Sequence, residues 1–392
     1  MKESVVMISS KKCVIELIKY EIIGNSINSE EIDSLTNEII ATIYEFAVEQ
    51  DVAYIVASAL SRLGLLYGDA ENAFFYEQLS SIYRYERIKH ELETLSKLFE
   101  LEGIEFVPLK GSVIRELYPK PEMRMSCDID ILIHQDDIKK AGELLESKLS
   151  YQYYSRCSYE VSWFSPSGVH LELHFNLFDE DVEKKQLFDS PWNHSRLVEG
   201  SNYKYKLSNE FLIFYHVFHI AKHFSSGGCG IKPFIDLWIM KSKLEYDEYK
   251  LKKLFEKSKL VKFAEASFKL IMVLFENESG DELTKIMEDY VLDSGSFGTM
   301  ENQIAISQSK KNGSKFRVII DRIFLPYNIL KDLYPVIVKY PILTPVCEIA
   351  RWFRIIFKDK MKRQFAIIKH NATISEDKQM QVAHLLKELG LL

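Results

Sequence analysis

The sequence predicts an α+β fold in which a small mixed β-sheet lies between helical N-terminal and C-terminal regions. Two observations predict it. Apolar residues recur at intervals of three and four from about residue 14 to residue 101 and again after about residue 180, which is the period of amphipathic helices. Between these regions, residues 104–178 contain short segments rich in β-branched and aromatic residues, which is typical of strands.

The same patterns divide the chain into four predicted regions. Gly103 follows the last residues with helical periodicity and is a typical helix stop. A polar loop, SQSKKNGSK, precedes the last section of the chain. The regions are an N-terminal helical region (1–102), an α/β core (103–180), a helical domain that closes a cleft over the core (181–300), and a C-terminal helical region with a basic amphipathic segment (301–392).

The composition is that of an ordinary globular protein and argues against several classes. A formal net charge of −7 is unsuited to a protein that coats nucleic acid through a general positive field. The five cysteines are widely separated and form no C-x-x-C pair, which fits reduced thiols better than a zinc or redox site. The N-terminus lacks the features of a signal peptide, and no apolar run is long enough to span a bilayer. We therefore expect a soluble, cytoplasmic protein.

Two aspartates interrupt a predicted buried strand, CDIDILI. Because side chains alternate along a strand, Asp128 and Asp130 share one face while the isoleucines occupy the other. Neighbouring carboxylates repel each other unless a cation lies between them, and oxygen ligands suit Mg²⁺ or Mn²⁺. The alternative is an edge strand whose solvent-exposed face carries two aspartates, and the spacing alone favours neither.

A Gly-Ser pair lies between the apolar segment IEFVPL and the helical segment SVIREL. Such a turn offers unpaired backbone N–H groups, a hydroxyl and the positive end of a helix dipole, which together suit a phosphate. This feature makes Gly111 and Ser112 candidate phosphate-binding residues. Considered alone, the pair is more often explained by Ser112 acting only as a helix N-cap.

A third carboxylate lies in the predicted strand VHLELHF. Alternation places His170, Glu172 and His174 on one face, opposite the leucines. Glu172 could therefore join the two aspartates if the strands are neighbours. The alternative is that Glu172 is the cross-strand partner of a lysine or arginine.

Together these elements resemble the DNA polymerase beta-like nucleotidyltransferase superfamily, whose mark is a Gly-Ser turn, a D-x-D strand and a third acidic residue on a later strand. The run LKGSVIRELYPKPEMRMSCDIDILI, followed by HLELHF, more closely resembles a family of uncharacterised bacterial nucleotidyltransferases. The strong resemblance covers about residues 106–177, and a weaker one continues through much of the C-terminal half. It implies that the α/β core is a nucleotidyltransferase core.

The resemblance also implies a catalytic mechanism. Asp128, Asp130 and Glu172 would be the catalytic residues and would hold two Mg²⁺ ions, or Mn²⁺ in their place. An acceptor hydroxyl would attack the α-phosphate of a nucleoside triphosphate, with ATP the expected nucleotide, and expel pyrophosphate. Glu172 could also take the proton of the acceptor.

Phosphate binding is assigned in the same way. Gly111 and Ser112 would hold the β- and γ-phosphates, with Lys110 and Arg124 supplying positive charge. One departure bears on Arg124: 15 residues separate Ser112 from Asp128, more than in minimal members of the superfamily. This longer loop could move the arginine away from the nucleotide.

The helical region after the core carries further candidates. In the resembling family the segment GGCGIKPFIDLW faces the cleft, so Lys232 is a candidate for phosphate and Asp236 for the acceptor or a metal-bound water. The residues His216, His219 and His223 fall at helical offsets of three and four. A pocket wall or interdomain contact explains them better than a separate metal site.

The acceptor is expected to be a small molecule, a peptide or a protein, and no long nucleic acid is expected. Residues 350–369 form a basic, aromatic segment, for which a docked terminal helix is favoured over contact with an anionic membrane. The alternative function is a catalytically inactive nucleotidyltransferase-like protein that binds a nucleotide or a partner protein.

Overall fold

The computed structural model describes residues 2–24, 35–178, 190–296, 298–311, 314–357 and 373–392. The helices before the sheet are α1 (Lys2–Ile23), α2 (Asn37–Glu49), α3 (Ala53–Arg62) and α4 (Gly68–Glu102). Gly103 ends α4 in the left-handed conformation, with φ of 68°, as the sequence predicts.

A five-stranded mixed sheet follows α4 and confirms the predicted α+β fold. The strand order is β1-β2-β5-β4-β3. The central pair, β2 and β5, is parallel, whereas the other neighbours are antiparallel. The strands are β1 (Phe106–Pro108), β2 (Asp128–Ile133), β3 (Gln152–Arg156), β4 (Glu160–Phe164) and β5 (His170–His174).

The apolar face of β2 anchors the sheet. Ile129, Ile131 and Ile133 are fully buried in one cluster with residues of α4 and of α6 (Ile138–Leu149). Each buried isoleucine stabilises the fold by roughly 1.5–3 kcal/mol relative to an exposed one. Because side chains alternate, this packing directs the two aspartates of the strand to the opposite face.

The described part of the region after the core contains a β-hairpin that the sequence analysis did not predict. Its strands are β6 (Ser195–Leu197) and β7 (Tyr205–Leu207), and an isolated bridge between Phe106 and Lys204 joins it to β1. The helices that follow are α7 (Asn209–Phe224), α8 (Lys232–Lys243), α9 (Glu248–Ser258), α10 (Val261–Phe275), α11 (Glu282–Leu292) and α12 (Met300–Ser309). The short helix α5 (Gly111–Ile114) lies between β1 and β2.

A second hydrophobic core joins helices that precede the sheet in the chain with helices that follow it. It contains Ile18 of α1, Val56 of α3, Leu132 of β2, Phe214 of α7 and Phe275 of α10. Because it also contains Ile304 and Leu385, residues from all four predicted regions share this core. The proposed boundaries at 102, 180 and 300 stay predictions.

The C-terminal section is helical in its described part. It contains α13 (Lys315–Ile323), α14 (Tyr327–Leu333), α15 (Val336–Lys339), α16 (Thr344–Phe357) and α17 (Glu376–Glu388). Of the basic segment, residues 350–357 belong to α16, whereas residues 358–369 lie outside the described residues. Among the helices of the described ranges, none is both long and apolar enough to cross a membrane.

Candidate functional site

The parallel pairing of β2 and β5 brings the candidate carboxylates onto one face. In this register Asp130 lies directly opposite Glu172, and Asp128 lies opposite His170. Paired residues on neighbouring strands point to the same side of a sheet. The third carboxylate therefore joins the two aspartates on the polar face.

Asp130 is the most buried member of this group, with 2% of its surface exposed. One of its oxygens, Oδ1, accepts from two groups: Lys110 Nζ at 2.7 Å and His174 Nε2 at 2.8 Å. Burial by itself would raise the pKa of Asp130, but the charge of Lys110 and the contact with His174 outweigh it and hold that pKa well below its usual value. Asp130 is therefore an anion with two positive or proton-donating partners.

His174 links Asp130 to two glutamates. Its Nε2 lies 3.5 Å from Glu172 Oε2, and its Nδ1 lies 3.3 Å from Glu160 Oε2. Burial opposes the charged form of His174, yet the contacts with Asp130 and Glu172 raise its pKa overall. One ligand atom from each of Asp130, Glu172 and His174 lies within 4.8 Å of the others. Two carboxylates and an imidazole at this separation fit a divalent metal ion.

Asp128 lies at the edge of this cluster. It is the first residue of β2, and burial together with the charge of Asp130 raises its pKa. Within the described part of the chain, no hydrogen bond or ion pair engages its carboxylate. Asp128 shares the polar face but is not one of the three closely spaced ligands, so its predicted metal role stays a prediction.

The turn after β1 positions Lys110 so that its side chain contacts Asp130. Ser112 N–H donates to Leu109 O at 3.1 Å, which closes a four-residue turn with Lys110 as its second residue. Lys110 has φ of 44° and ψ of −121°, a conformation that side-chain-bearing residues rarely adopt. Strained conformations of this kind cluster at functional sites, where the surrounding contacts hold them. Here the ion pair between Lys110 and Asp130 is such a contact.

Gly111 makes a close approach to Arg124. A Cβ atom at position 111 would lie 2.6 Å from Arg124 Nη1, so no larger residue fits without displacing the guanidinium. Arg124 Nε and Nη2 donate to the two carboxylate oxygens of Asp236, each at 2.8 Å. Nη1 is therefore the guanidinium nitrogen that lies next to Gly111 and does not bond to Asp236, while the predicted contact of Arg124 with phosphate stays a prediction.

Arg115 is a site residue that the sequence analysis missed. Its Nε donates to Gly111 O at 2.8 Å, and its Nη2 donates to Ser126 Oγ. Burial and the neighbouring charge of Arg124 lower its pKa to about 10. The sequence signal was a charged residue one helical turn after Gly111 in an otherwise apolar segment. Arg115 therefore ties the turn to the segment before β2.

The Ser112 side chain faces a different cavity from the one that Glu172 lines. Its Oγ is buried and has no hydrogen-bond partner among the described residues. It lines a cavity of about 330 Å³ beside Tyr205 of β7 and Leu212 of α7, a different cavity from the one above Glu172. Because α5 has only four residues, its dipole adds little to phosphate binding. The predicted contact of Ser112 with phosphate stays a prediction.

Glu172 and His174 of β5 line a cavity of about 250 Å³ together with residues of α7. From α7, His219 and His223 line it, with their Nε2 atoms 2.9 Å apart. Burial and the charge of Lys110 hold the pKa of His219 well below its usual value. His216 instead hydrogen-bonds to Pro233 O at 2.8 Å. Two of the three histidines are thus pocket-wall residues, which agrees with the interpretation favoured from their spacing.

The remaining candidates hold the long loop in place. Asp236 accepts from Tyr118 Oη at 2.7 Å as well as from Arg124. Lys232 pairs with Asp51 and donates to Met125 O at 3.1 Å. Neither Lys232 nor Asp236 lines the cavity above the carboxylates. Their contacts fasten the segment 118–125, while their predicted roles toward phosphate and acceptor stay predictions.

Comparison with known proteins agrees with this arrangement. The sequence model of a family described as "uncharacterised nucleotidyltransferase" matches residues 37–276, which include all the strands and the cavity-lining helix α7. Comparison with curated proteins found no match, and comparison with solved structures found none either. The match covers more than half of the chain, so this protein belongs to that family of nucleotidyltransferases.

Proposed function

We propose that the protein is a Mg²⁺-dependent nucleotidyltransferase that moves a nucleoside monophosphate from a nucleoside triphosphate to an acceptor hydroxyl. The observation that carries the proposal is the direct pairing of Asp130 with Glu172 on adjacent parallel strands, with Glu172 lining a cavity. Membership of a nucleotidyltransferase family supports it independently. Structural ion pairs alone do not require two carboxylates to face each other in this way.

The residues present fit a divalent ion. Asp130, Glu172 and His174 would hold it, and Asp128 adds a further carboxylate on the same face. The bound Mg²⁺ or Mn²⁺ would supply charge neutralisation and polarisation of the phosphate that is attacked. The chain itself fixes the ligand positions through the pairing of β2 with β5.

The positive groups beside the turn would bind the triphosphate. A Cβ atom at position 111 would lie 2.6 Å from Arg124 Nη1, so the absence of a side chain there leaves room for the guanidinium beside the turn. Two of the other nitrogens of Arg124 are fixed by Asp236, so the guanidinium is already oriented before the nucleotide binds. Lys110, adjacent in the chain, supplies a second cation.

The transfer step needs an acceptor in the cavity above Glu172. The acceptor oxygen attacks the α-phosphorus and forms a new O–P bond, while the bond from that phosphorus to the bridging oxygen breaks and pyrophosphate leaves. Glu172, whose side chain is about one-fifth exposed in the cavity, takes the acceptor's proton. His219 and His223 wall the opposite side.

The size of the cavity supports a compact acceptor. A space of about 250 Å³ under α7 suits a small molecule or a side chain of a peptide or protein better than a long nucleic acid. We propose ATP as the nucleotide and the cytoplasm, where nucleotides are supplied, as the location.

Calorimetric titration with a non-hydrolysable ATP analogue tests the proposal. Binding should require Mg²⁺ or be strengthened by it, and Glu172→Gln should weaken the metal-dependent part. The exposed Asp136→Asn is a matched control, since it removes one carboxylate outside the site. Binding that is indifferent to Mg²⁺ and to Glu172 would contradict the proposal. Metal-dependent binding without pyrophosphate release in any acceptor extract would favour the inactive binding protein instead.

A further inference from the structure

We propose that Lys110 is a resident counter-cation of the metal site, which must leave Asp130 when a divalent ion binds and which then pairs with the triphosphate. Lys110 thereby couples metal binding to nucleotide binding. This inference rests on the proposed function, because it assigns a regulatory role within the same site.

The first support is the geometry around Asp130. Lys110 Nζ and His174 Nε2 contact the same oxygen, Oδ1, at 2.7 and 2.8 Å. A bound Mg²⁺ would lie at about 2.1 Å from a ligating carboxylate oxygen. The side chains of Lys110 and Asp130 are only 19% and 3% exposed, so solvent screens their surroundings little. A divalent ion and an ammonium group on one buried oxygen would therefore repel each other strongly.

The second support is chemical. An imidazole can exchange a hydrogen bond for a metal bond, because its ring nitrogen carries a lone pair when it is not protonated. An ammonium group has three donors and no acceptor, so it cannot become a ligand. Of the two groups on Asp130 Oδ1, His174 can stay and ligate, whereas Lys110 has to move.

The third support is the position of Lys110 in the chain. It immediately precedes Gly111, over which Arg124 Nη1 lies. Its flexible four-carbon side chain can turn from Asp130 to an anion at this turn without movement of the backbone. The backbone of Lys110, with its strained φ of 44°, is held in place by the turn from which the side chain extends.

The consequence is reciprocal coupling. Without nucleotide, the metal ion competes with Lys110 for Asp130 and binds weakly. With nucleotide, the phosphates give Lys110 another partner, so the metal binds more tightly, and by linkage the metal strengthens nucleotide binding by the same factor. Couplings of this kind typically change affinity by about 5- to 150-fold.

Titration with Mn²⁺, followed by electron paramagnetic resonance, tests the inference on the full-length protein. In the absence of nucleotide, Lys110→Met should bind Mn²⁺ about 10-fold more tightly than the wild type. A non-hydrolysable ATP analogue should tighten Mn²⁺ binding in the wild type and do so much less in the variant. The matched control is Lys222→Met. Lys222 lines the same cavity, and its Nζ lies 4.9 Å from the centre of the Tyr159 ring. The control variant should change Mn²⁺ affinity far less.

Unchanged or weaker Mn²⁺ binding by Lys110→Met would overturn the inference. If that variant does not fold, Lys110→Gly serves instead, because glycine adopts the positive φ without strain while still removing the ammonium group. Asp130→Asn distinguishes failure of the coupling from failure of the proposed function. If Asp130→Asn abolishes Mn²⁺ binding while the Lys110 variants bind Mn²⁺ as the wild type does, only the coupling fails. If the wild type binds no Mn²⁺, or if Asp130→Asn binds Mn²⁺ normally, the proposed function and the coupling both fail.

Discussion

Arg124 and Asp236 form a buried, two-point ion pair that fixes the loop before β2 to helix α8. Each of the two nitrogen-to-oxygen distances is 2.8 Å, and the side chains are only 9% and 1% exposed. The hydroxyl of Tyr118 donates to the same carboxylate at 2.7 Å. The long loop, which could have carried Arg124 away from the nucleotide, is thus held with the guanidinium over Gly111.

Asp236→Asn should destabilise the protein strongly. The change keeps the volume of the side chain but leaves the buried Arg124 without its counter-ion, which typically costs about 3–5 kcal/mol. Urea denaturation measures the loss. The exposed control Asp136→Asn should change the free energy of unfolding by less than about 0.5 kcal/mol. Equal effects of the two substitutions would show that the pair does not hold the loop.

The same pair predicts part of the acid sensitivity. Burial opposes the charged form of Asp236, but the charge of Arg124 outweighs it and lowers the pKa of Asp236 below its ordinary value of 3.8. The stabilisation is therefore complete above pH 3.8 and is lost as the pH falls toward the folded-state pKa, because the unfolded chain takes up the proton first. Melting temperatures measured from pH 6 down to pH 3 should fall less steeply in Asp236→Asn than in the wild type. Parallel curves would contradict this assignment.

Gly111→Ala should reduce nucleotide binding. The added Cβ would lie 2.6 Å from Arg124 Nη1 and would push aside the nitrogen proposed to meet the phosphates. Loss of one charge-assisted hydrogen bond of about 1.5–3 kcal/mol predicts a weakening of roughly 10- to 150-fold, measured by calorimetry. Gly280→Ala is the control, since its nearest neighbour would be 3.4 Å away. Normal nucleotide affinity in Gly111→Ala would place the phosphates elsewhere.

Asp130→Asn should lower the melting temperature in EDTA. From the sequence alone, the change is expected to relieve repulsion and leave the metal-free protein as stable as before if the aspartates hold a metal, but to destabilise it if Asp130 is the partner of a buried cation. The ion pair with Lys110 favours the second outcome, because the variant leaves a largely buried ammonium without its partner. Thermal melting in EDTA measures the effect. A variant at least as stable as the wild type would show that Lys110 does not depend on Asp130.

Local patterns were enough to predict much of the fold and the face of the site. The alternation in CDIDILI and HLELHF placed Asp130 and Glu172 opposite apolar side chains, and the β2 and β5 pairing shows that these strands are neighbours. That the two strands are neighbours was predicted, whereas the parallel register that sets Asp130 opposite Glu172 was not, because two strands and a helix separate β2 from β5 along the chain. The sequence also left the hairpin of β6 and β7 unrecognised, since each strand has only three residues.

The partners of the charged residues could not be predicted either, because they are far apart along the chain. Arg124 and Asp236 are 112 residues apart, and Lys232 lies 181 residues from Asp51, so no spacing rule connects them. The unusual backbone of Lys110 was also hidden, because glycine is the residue normally found in that conformation. The ion pairs and the backbone conformation of Lys110 both depend on contacts between residues that are distant in the sequence.

Transfer of radioactivity from α-labelled ATP to a cell extract tests the central claim most directly. In the presence of Mg²⁺ the wild type should attach the label to an acceptor, whereas EDTA or either of the changes Asp130→Asn and Glu172→Gln should reduce transfer by several orders of magnitude, because these residues hold the metal and accept the proton. Failure of the wild type to transfer label in any extract, or transfer by Asp130→Asn at the wild-type rate, would contradict the account.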